Sequence, residues 1–268
     1  MNPISDTAYI CAGLRMLDAE EKNPICGDTY ARYFMNGHGL KILDKFRQFE
    51  NYRIGNLVRH RIIDDLIKRE LQSDPDTTII LNGAGFDTRA YRMNGGNWIE
   101  VDEAQIIEYK NSRLPVDKCR NSLKRISHNF SSGSLEQALD QYRKNSNIMI
   151  IVEGVFRYLE VDEVIHFIKE LQKLFPEHQL VCDLMSRKFY EKYASMTSNM
   201  VKEMGAPFRF NEKRPELIFL TNGYQLIDKI SVMKFAFDSG FMKNPGILPV
   251  MFQRTLLDGY SIYHFNYS

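Results

Sequence analysis

Short runs of apolar, β-branched residues alternate along this chain with longer stretches in which apolar residues recur every three or four positions. The short runs predict buried parallel strands at 78–81, 97–102, 122–130, 147–152 and 179–184. The longer stretches predict crossover helices at 103–113, 134–142 and 161–175. A helix at 212–220 and two further strands at 223–228 and 261–265 complete the pattern. We therefore expect an α/β sandwich with a mostly parallel sheet, an antiparallel last strand, and a ligand at the carboxyl ends of the strands.

The segments that flank this core have patterns of their own. Some seventy residues before the first strand are predicted to be helical, and they must pack on or over the sheet. The run at 147–152 is the most apolar and is expected at the sheet centre. Residues 185–207 contain four methionines, which adapt to irregular apolar shapes. This segment is predicted to be either a substrate lid or part of the helical core.

A glycine turn after the first strand and an acid after the second form the main candidate site. Gly83 and Gly85 leave room for a close approach to the backbone, and Asp102 follows about 17 positions later, close to the roughly 20-residue spacing of dinucleotide sites. Such an acid accepts hydrogen bonds from ribose hydroxyls. Thr88 stands where the third glycine of the dinucleotide pattern is expected. This favours an adenosyl-methionine ligand over a pyrophosphate, while a turn that binds nothing stays an alternative.

Three motifs together resemble the leucine carboxyl methyltransferase family. They are Gly-Ala-Gly-Phe-Asp-Thr-Arg-Ala-Tyr-Arg at 83–92, Glu-Val-Asp at 100–102 and Glu-Gly-Val-Phe-Arg-Tyr-Leu at 153–159. The resemblance covers the chain from about residue 7 to residue 183. It implies an S-adenosylmethionine-dependent O-methyltransferase with the Rossmann-like class I sandwich, a seven-stranded sheet and an N-terminal helical cap. We expect one domain, 1–268, with the cap at 1–74, the cofactor-binding core at 75–184, and a lid segment with the C-terminal strands at 185–268.

The resemblance also implies roles for individual residues. Tyr158 and Arg59 are candidates for orienting the substrate, and the cofactor-binding candidates are Arg59, Gly83, Ala84, Gly85, Asp102, Asn129, Phe130 and Glu153. An arginine at position 59 would pair with the methionine carboxylate through its planar fork.

Several of these residues have a plainer explanation. Arg59 could be a solvated helix charge, with Arg61 an equally basic neighbour. Asn129 could offer only an amide oxygen to the adenine, where the family usually carries an aspartate, and it could instead belong to a strand-end turn together with Phe130. Glu153 could simply have a structural partner. A family lysine near the N-terminus has no clear counterpart here.

Composition and charge restrict the partners. The chain has 268 residues, of which 44% are hydrophobic, and fits one elaborated domain. Its formal net charge of +1 argues against nucleic-acid and anionic-membrane partners. The four cysteines lack metal-site spacing and are expected to be reduced thiols, so no metal is predicted. No apolar run approaches the roughly 20 residues of a membrane helix, and no secretory signal is present, so a cytoplasmic protein is expected.

Taken together, these features predict a methyltransferase that acts on an oxygen atom. A carboxylate nucleophile is ionised at neutral pH and needs no general base, and no base motif is visible among the six histidines. A small-molecule acid is favoured over a protein C-terminus. The alternatives are an NAD(P)-dependent oxidoreductase, which Thr88 disfavours, and a non-catalytic protein that binds S-adenosylmethionine.

Overall fold

The computed structural model describes residues 3–130, 133–243 and 250–268. The strands in these ranges are β1 Thr78–Asn82, β2 Asn97–Asp102, β3 Ser122–Ser127, β4 Ile148–Val152, β5 His178–Met185, β6 Gln225–Ser231 and β7 Tyr260–Tyr267. They form one sheet in the order β3-β2-β1-β4-β5-β7-β6. The first five strands pair in parallel, while β7 lies between β5 and β6 and is antiparallel to both. The predicted mostly parallel sheet with an antiparallel last strand is confirmed.

The strand β4 occupies the middle of the sheet, as predicted. All five of its residues are buried, because the strand has a neighbour on each edge and a layer of helices on each face. The strand predicted at 122–130 was too long, since β3 ends at Ser127. That residue pairs with Asp102, the last residue of β2, so no strand is left for the chain to pair with beyond this point.

Helices precede, connect and follow the strands. Those before β1 are α1 Pro3–Asp18, α2 Gly37–Phe46 and α3 Glu50–Ser73, in the predicted helical cap. The others are α4 Arg89–Arg92, α5 Ala104–Arg113, α6 Leu135–Leu139, α7 Val161–Leu174, α8 Arg187–Phe189, α9 Ser195–Glu203, α10 Glu216–Thr221, α11 Val232–Asp238 and α12 Val250–Asp258.

Two predicted helices need correction, and three were missed, one of which is the short α4 between β1 and β2. The helix predicted at 134–142 is α6 followed by a 3-10 turn, Asp140–Tyr142. The helix predicted at 212–220 begins only at Glu216. Pro215 explains the late start, because a proline disfavours the helical conformation of the residue before it. The helices α11 and α12, between β6 and β7, were not predicted.

Each face of the sheet carries its own layer of apolar side chains. On β1, Ile79 and Leu81 join a cluster with α1, α2 and α3, while Ile80 joins a cluster with α6 and α7 on the opposite face. This division follows from the alternation of side chains along a strand. Among the described residues, no helix combines the length and the apolar character needed to cross a bilayer.

The methionine-rich segment 185–207 is largely helical. It comprises α8, a π-helical stretch at Tyr190–Ala194 and α9. Met185, Met200 and Met204 pack against the core, whereas the side chain of Met196 is 64% exposed. Packing against the core therefore accounts for three of the four methionines, and the lid function stays a prediction.

Candidate functional site

A cavity of about 450 Å³ lies at the carboxyl ends of β1, β2 and β4. Among the side chains that line it are eight of the nine predicted site residues, which are Arg59, Gly83, Ala84, Gly85, Asp102, Phe130, Glu153 and Tyr158. They come from α3, from the end of β2, from the turns after β1 and β4 and from the loop that follows β3. Folding thus brings residues nearly one hundred positions apart to one concave surface of the size typical for small-molecule sites.

The glycine turn after β1 requires glycine for two reasons. Gly83 and Gly85 have φ angles of +71° and +45°, which side chains of L-amino acids rarely adopt. A Cβ atom on Gly83 would also lie 2.4 Å from Cγ2 of Val155. The backbone N–H of Gly83 donates to the carbonyl oxygen of Val101 at 2.9 Å, which holds the turn against β2. The turn is therefore a tight part of the cavity wall.

Asp102 links the end of β2 to this turn. Its Oδ2 accepts a hydrogen bond from the backbone N–H of Gly85 at 2.6 Å, and its Oδ1 accepts one from Glu103 at 2.7 Å. Burial raises the pKa of the Asp102 carboxyl to about 6, although both backbone hydrogen bonds act to lower it. Each carboxylate oxygen has about two acceptor sites, so this side chain can accept further hydrogen bonds from a ligand.

Glu153 lies beyond the end of β4 among cationic partners. Its Oε1 is 2.9 Å from Nε of Arg59, and its Oε2 is 2.9 Å from Nη2 of Arg89 and 3.2 Å from Nδ1 of His60. Burial would raise the pKa of Glu153, but Arg89, His60 and Arg59 outweigh it and hold the pKa well below its usual range. Glu153 therefore has structural partners and also lines the cavity.

Arg59 is buried, so it is not a solvated helix charge. Besides Glu153, its guanidinium lies near Asp183 at 3.6 Å, near the Tyr260 hydroxyl at 3.4 Å and near the sulfur of Cys11 at 3.7 Å. The neighbouring Arg61 pairs with Asp65 and does not line the cavity. The choice between the two arginines therefore favours Arg59. The Nη2 atom, whose nearest partner is a sulfur, keeps N–H capacity for a ligand.

Tyr158 ends a 3-10 turn, Phe156–Tyr158, that follows β4. Its ring meets Phe208 edge-on, with 5.4 Å between the ring centroids. Burial raises the pKa of Tyr158, so the phenol is protonated at neutral pH and can donate a hydrogen bond.

The two residues predicted after β3 have different positions. Phe130 lines the cavity and packs edge-on against His128, with its side chain 37% exposed. Asn129 is exposed and is not among the lining residues. Its backbone carbonyl accepts a hydrogen bond from Gly133 at 2.7 Å, as in a turn. Asn129 therefore lies beyond the end of β3 and outside the lining of the cavity, and its contact with the adenine stays a prediction.

A network of buried charged side chains adjoins the cavity, and it was not predicted from the sequence. Arg89 donates to Asp64 at 2.6 Å, to Asp87 at 2.5 Å and to Glu153 at 2.9 Å. Ligand atoms of His60, Asp87 and Glu153 lie close enough together to hold a metal ion. The guanidinium of Arg89 contacts all three, so these groups already surround a cation of the protein itself.

His60 belongs to the same network and lines the cavity. Burial and Arg89 lower its pKa, so the ring is neutral at pH 7. Nη2 of Arg89 is 2.8 Å from Nδ1, and Nη2 of Arg92 is 2.9 Å from Nε2. Whichever nitrogen carries the proton, the other faces an arginine N–H. The only sign of this role in the sequence is that His60 is an ionisable residue among the regularly spaced apolar residues of α3.

A second buried group supports the far side of the site. Asp183, on β5, accepts hydrogen bonds from the backbone N–H of Gly154 at 2.5 Å and from the Tyr260 hydroxyl at 3.1 Å, and it pairs closely with Arg157. Arg157 and Asp183 hold the loop after β4 against the start of β7. The side chain of Arg157 also lines the cavity.

Comparisons with known proteins agree with this geometry. The family model of leucine carboxyl methyltransferase matches residues 8–172. The tetracenomycin polyketide synthesis O-methyltransferase TcmP of Streptomyces glaucescens is 24% identical over 217 residues, which cover 79% of this chain and 76% of that protein. A provisionally named S-adenosyl-L-methionine-dependent methyltransferase of Mycobacterium ulcerans is 30% identical over 114 residues, 39% of this chain and 37% of that one.

Solved structures share the fold at low sequence identity. A DUF574 family protein from Streptomyces avermitilis superimposes with a TM-score of 0.62 at 12% identity, over 94% of this chain and all of that one. Magnesium protoporphyrin IX methyltransferase from Synechocystis, solved with bound S-adenosylhomocysteine, gives a TM-score of 0.51 at 13% identity, over 90% and 94% of the two chains. The family model covers more than half of the sequence and includes the glycine turn, Asp102 and Glu153. This chain belongs to the leucine carboxyl methyltransferase family.

Proposed function

We propose that this protein transfers a methyl group from S-adenosylmethionine to a carboxylate oxygen of a small acid. Membership of the family makes it an S-adenosylmethionine-dependent methyltransferase. The observation that carries the finer proposal is that Gly83, Gly85, Asp102, Arg59 and Glu153 line a single cavity. The family match also favours methyl transfer over the oxidoreductase alternative. The name of the TcmP relative, a polyketide O-methyltransferase, supports a small-molecule acceptor.

The glycine turn and Asp102 suit an adenosyl group. Since Gly85 carries no Cβ, a ligand can approach the main chain of the turn between β1 and β2 closely. At Gly83 the corresponding space is filled by Val155. A pH of 7 lies above the Asp102 pKa of about 6, so the carboxyl group is mostly ionised. The hydrogen bonds that it accepts from two backbone N–H groups fix its orientation. Its remaining lone pairs would accept hydrogen bonds from both ribose hydroxyls.

Arg59 would hold the carboxylate of the methionine moiety. Glu153 fixes Nε of this arginine, which leaves the Nη2 edge for the ligand. A guanidinium aligned in this way loses little side-chain entropy when it binds a carboxylate. In this proposal Glu153 acts chiefly through Arg59, because Arg59, Arg89 and His60 already occupy its oxygens.

The site favours a nucleophile that is already ionised. The bound cofactor would supply an activated methyl group, so the residues of this chain need mainly to align the acceptor. His60 has no free lone pair, because each ring nitrogen lies within hydrogen-bond distance of an arginine. A phenol acceptor would need a base, whereas a carboxylate would not. Tyr158, which is protonated, would donate a hydrogen bond to the incoming carboxylate.

Calorimetry followed by a transfer assay tests this proposal. We expect S-adenosylmethionine and S-adenosylhomocysteine to bind with one site per chain and NAD not to bind. A panel of carboxylic acids and matched phenols, incubated with methyl-labelled cofactor, should then label the acids. Binding of NAD alone would refute the cofactor assignment. Labelling of phenols but not of acids would refute the carboxylate acceptor and leave the cofactor assignment intact.

A further inference from the structure

Five arginines line the cavity, and four of them are hydrogen-bonded to a carboxylate. These pairs are Arg15 with Asp28, Arg59 with Glu153, Arg89 with Asp64, and Arg157 with Asp183. Arg209 is the exception among the described residues. Its nearest carboxylate oxygens, in Glu160 and Glu163, are each 4.0 Å away, which is beyond hydrogen-bond distance.

The backbone holds Arg209 at the edge of the cavity. The residue belongs to the connection 205–215 between α9 and α10, and its N–H donates to the carbonyl oxygen of Arg157 at 2.8 Å. Its neighbour Phe208 packs against Tyr158. The position of Arg209 beside Tyr158 is therefore fixed by its main chain, while its side chain is 48% exposed and lines the cavity.

The two nearby glutamates have another structural role. Glu160 and Glu163 form a capping box at the start of α7, in which each side chain accepts the backbone N–H of the other residue. Both side chains are more than half exposed, so water weakens their attraction for Arg209. They keep the guanidinium near the cavity without occupying its N–H groups.

We infer that Arg209 binds an anionic group of the methyl acceptor and selects acids over neutral molecules of the same shape. This inference rests on the proposed function and assigns one residue of that site a specificity role. A guanidinium with a free N–H fork binds a carboxylate through two parallel hydrogen bonds. A neutral amide offers one weaker acceptor and no charge, so the contact discriminates between the two.

Calorimetry on the full chain saturated with S-adenosylhomocysteine tests the inference. The probes are benzoate, 1-naphthoate and octanoate, each compared with its primary amide. We expect at least one acid to bind about tenfold more tightly than its amide, and Arg209→Gln to remove this preference, as the loss of a charge-assisted hydrogen bond predicts. Arg209→Lys should restore part of it.

The matched control is Arg214→Gln. Arg214 lies in the same connection, is exposed, pairs with Glu216 and does not line the cavity. This variant removes the same charge and should behave as the wild type. An unchanged preference in Arg209→Gln, or a wild type that prefers none of the acids, would overturn the inference. A failure of S-adenosylhomocysteine to bind would instead refute the proposed function.

Discussion

Asp102 Oδ2 accepts a 2.6 Å hydrogen bond from the backbone N–H of Gly85, so the acid at the end of the second strand is joined directly to the turn after the first. Together they form one wall of the cavity. A ligand that uses the carboxylate is thereby placed against the glycine backbone. The two features that the sequence predicts separately form one connected part of the cavity wall.

The first prediction concerns the charge of Asp102. Asp102→Asn keeps the shape of the side chain but removes the charge, and hydrogen bonds to charged groups contribute about 1.5–3 kcal/mol. We expect S-adenosylhomocysteine to bind roughly 10- to 100-fold more weakly, as measured by calorimetry. Asp117→Asn, at an exposed position outside the cavity, should bind as the wild type. Equal affinities for both variants would remove Asp102 from the cofactor site.

The second prediction concerns pH. Because burial raises the pKa of Asp102 to about 6, the carboxylate should gain a proton as the pH falls from 7 to 5. Cofactor affinity should fall by up to about tenfold per pH unit below 6, and Asp102→Asn should lack this dependence. Calorimetry between pH 5 and 8 checks it. A wild-type affinity that is constant across this range would contradict it.

The raised pKa of Asp102 has the opposite effect on the stability of the fold. The folded protein binds this proton more readily than the unfolded chain, since the folded pKa lies above the unfolded value of 3.8. The contribution of Asp102 to the free energy of unfolding therefore decreases as the pH rises from about 4 through 6. At neutral pH the ionised Asp102 therefore lowers the free energy of unfolding, whereas the same charge favours the binding of a ligand.

The third prediction concerns the turn. Gly83→Ala places a Cβ 2.4 Å from Val155 in a backbone conformation with φ of +71°. The conformation alone should cost about 1–3 kcal/mol of stability, and the contact adds to that. We expect a lower Tm and weaker S-adenosylhomocysteine binding.

Two further variants separate the effect of the backbone conformation from the effect of the contact with Val155. Val155→Ala in the Gly83→Ala background should recover the part due to the contact. Gly55→Ala, in α3 with no neighbour within 4 Å of the added Cβ, should keep or raise the Tm. A Gly83→Ala protein as stable as the wild type would show that the turn relaxes without cost.

The fourth prediction concerns the acceptor side. Tyr158→Phe removes one hydroxyl from the cavity wall and leaves the packing against Phe208 intact. Turnover of an acid acceptor should fall about 2- to 10-fold, the range expected for one neutral hydrogen bond, while cofactor affinity is unchanged. Steady-state kinetics and calorimetry give the two values. Tyr193→Phe, an exposed tyrosine outside the cavity, is the control, and a similar turnover in both variants would contradict a role for Tyr158.

Local signals in the sequence predict the sheet and the glycine turn well. The strand from Thr78 to Asn82 has three apolar residues at its centre and is followed by Gly83, so both its conformation and its termination follow from nearby residues. The end of β3 cannot be predicted from nearby residues. It depends on where the neighbouring strand stops, at Asp102, and residues 128–130 contain nothing that would reveal this. Asn129 consequently lies outside the strand in which it was predicted.

The buried ion network also lies outside what local patterns reveal. His60 and Arg89 are 29 positions apart in the sequence, and Glu153 is a further 64 positions away from Arg89. Only the packing of α3 against the ends of β1 and β4 brings them together. The available hint is that Arg59, His60 and Asp64 interrupt the apolar face of α3, since buried charges require partners.

The place of β7 between β5 and β6 has a consequence for biosynthesis. Its first residue, Tyr260, donates a hydrogen bond to Asp183 and lies near Arg59, and among the described strands β7 is the only neighbour of β6. A ribosome that has translated everything before β7 has therefore produced a half-open sheet in which β6 has no neighbour, and Arg59 and Asp183 lack the hydroxyl of Tyr260. We therefore expect the nascent protein to acquire ligand affinity only after β7 has been synthesised and has paired with β5 and β6.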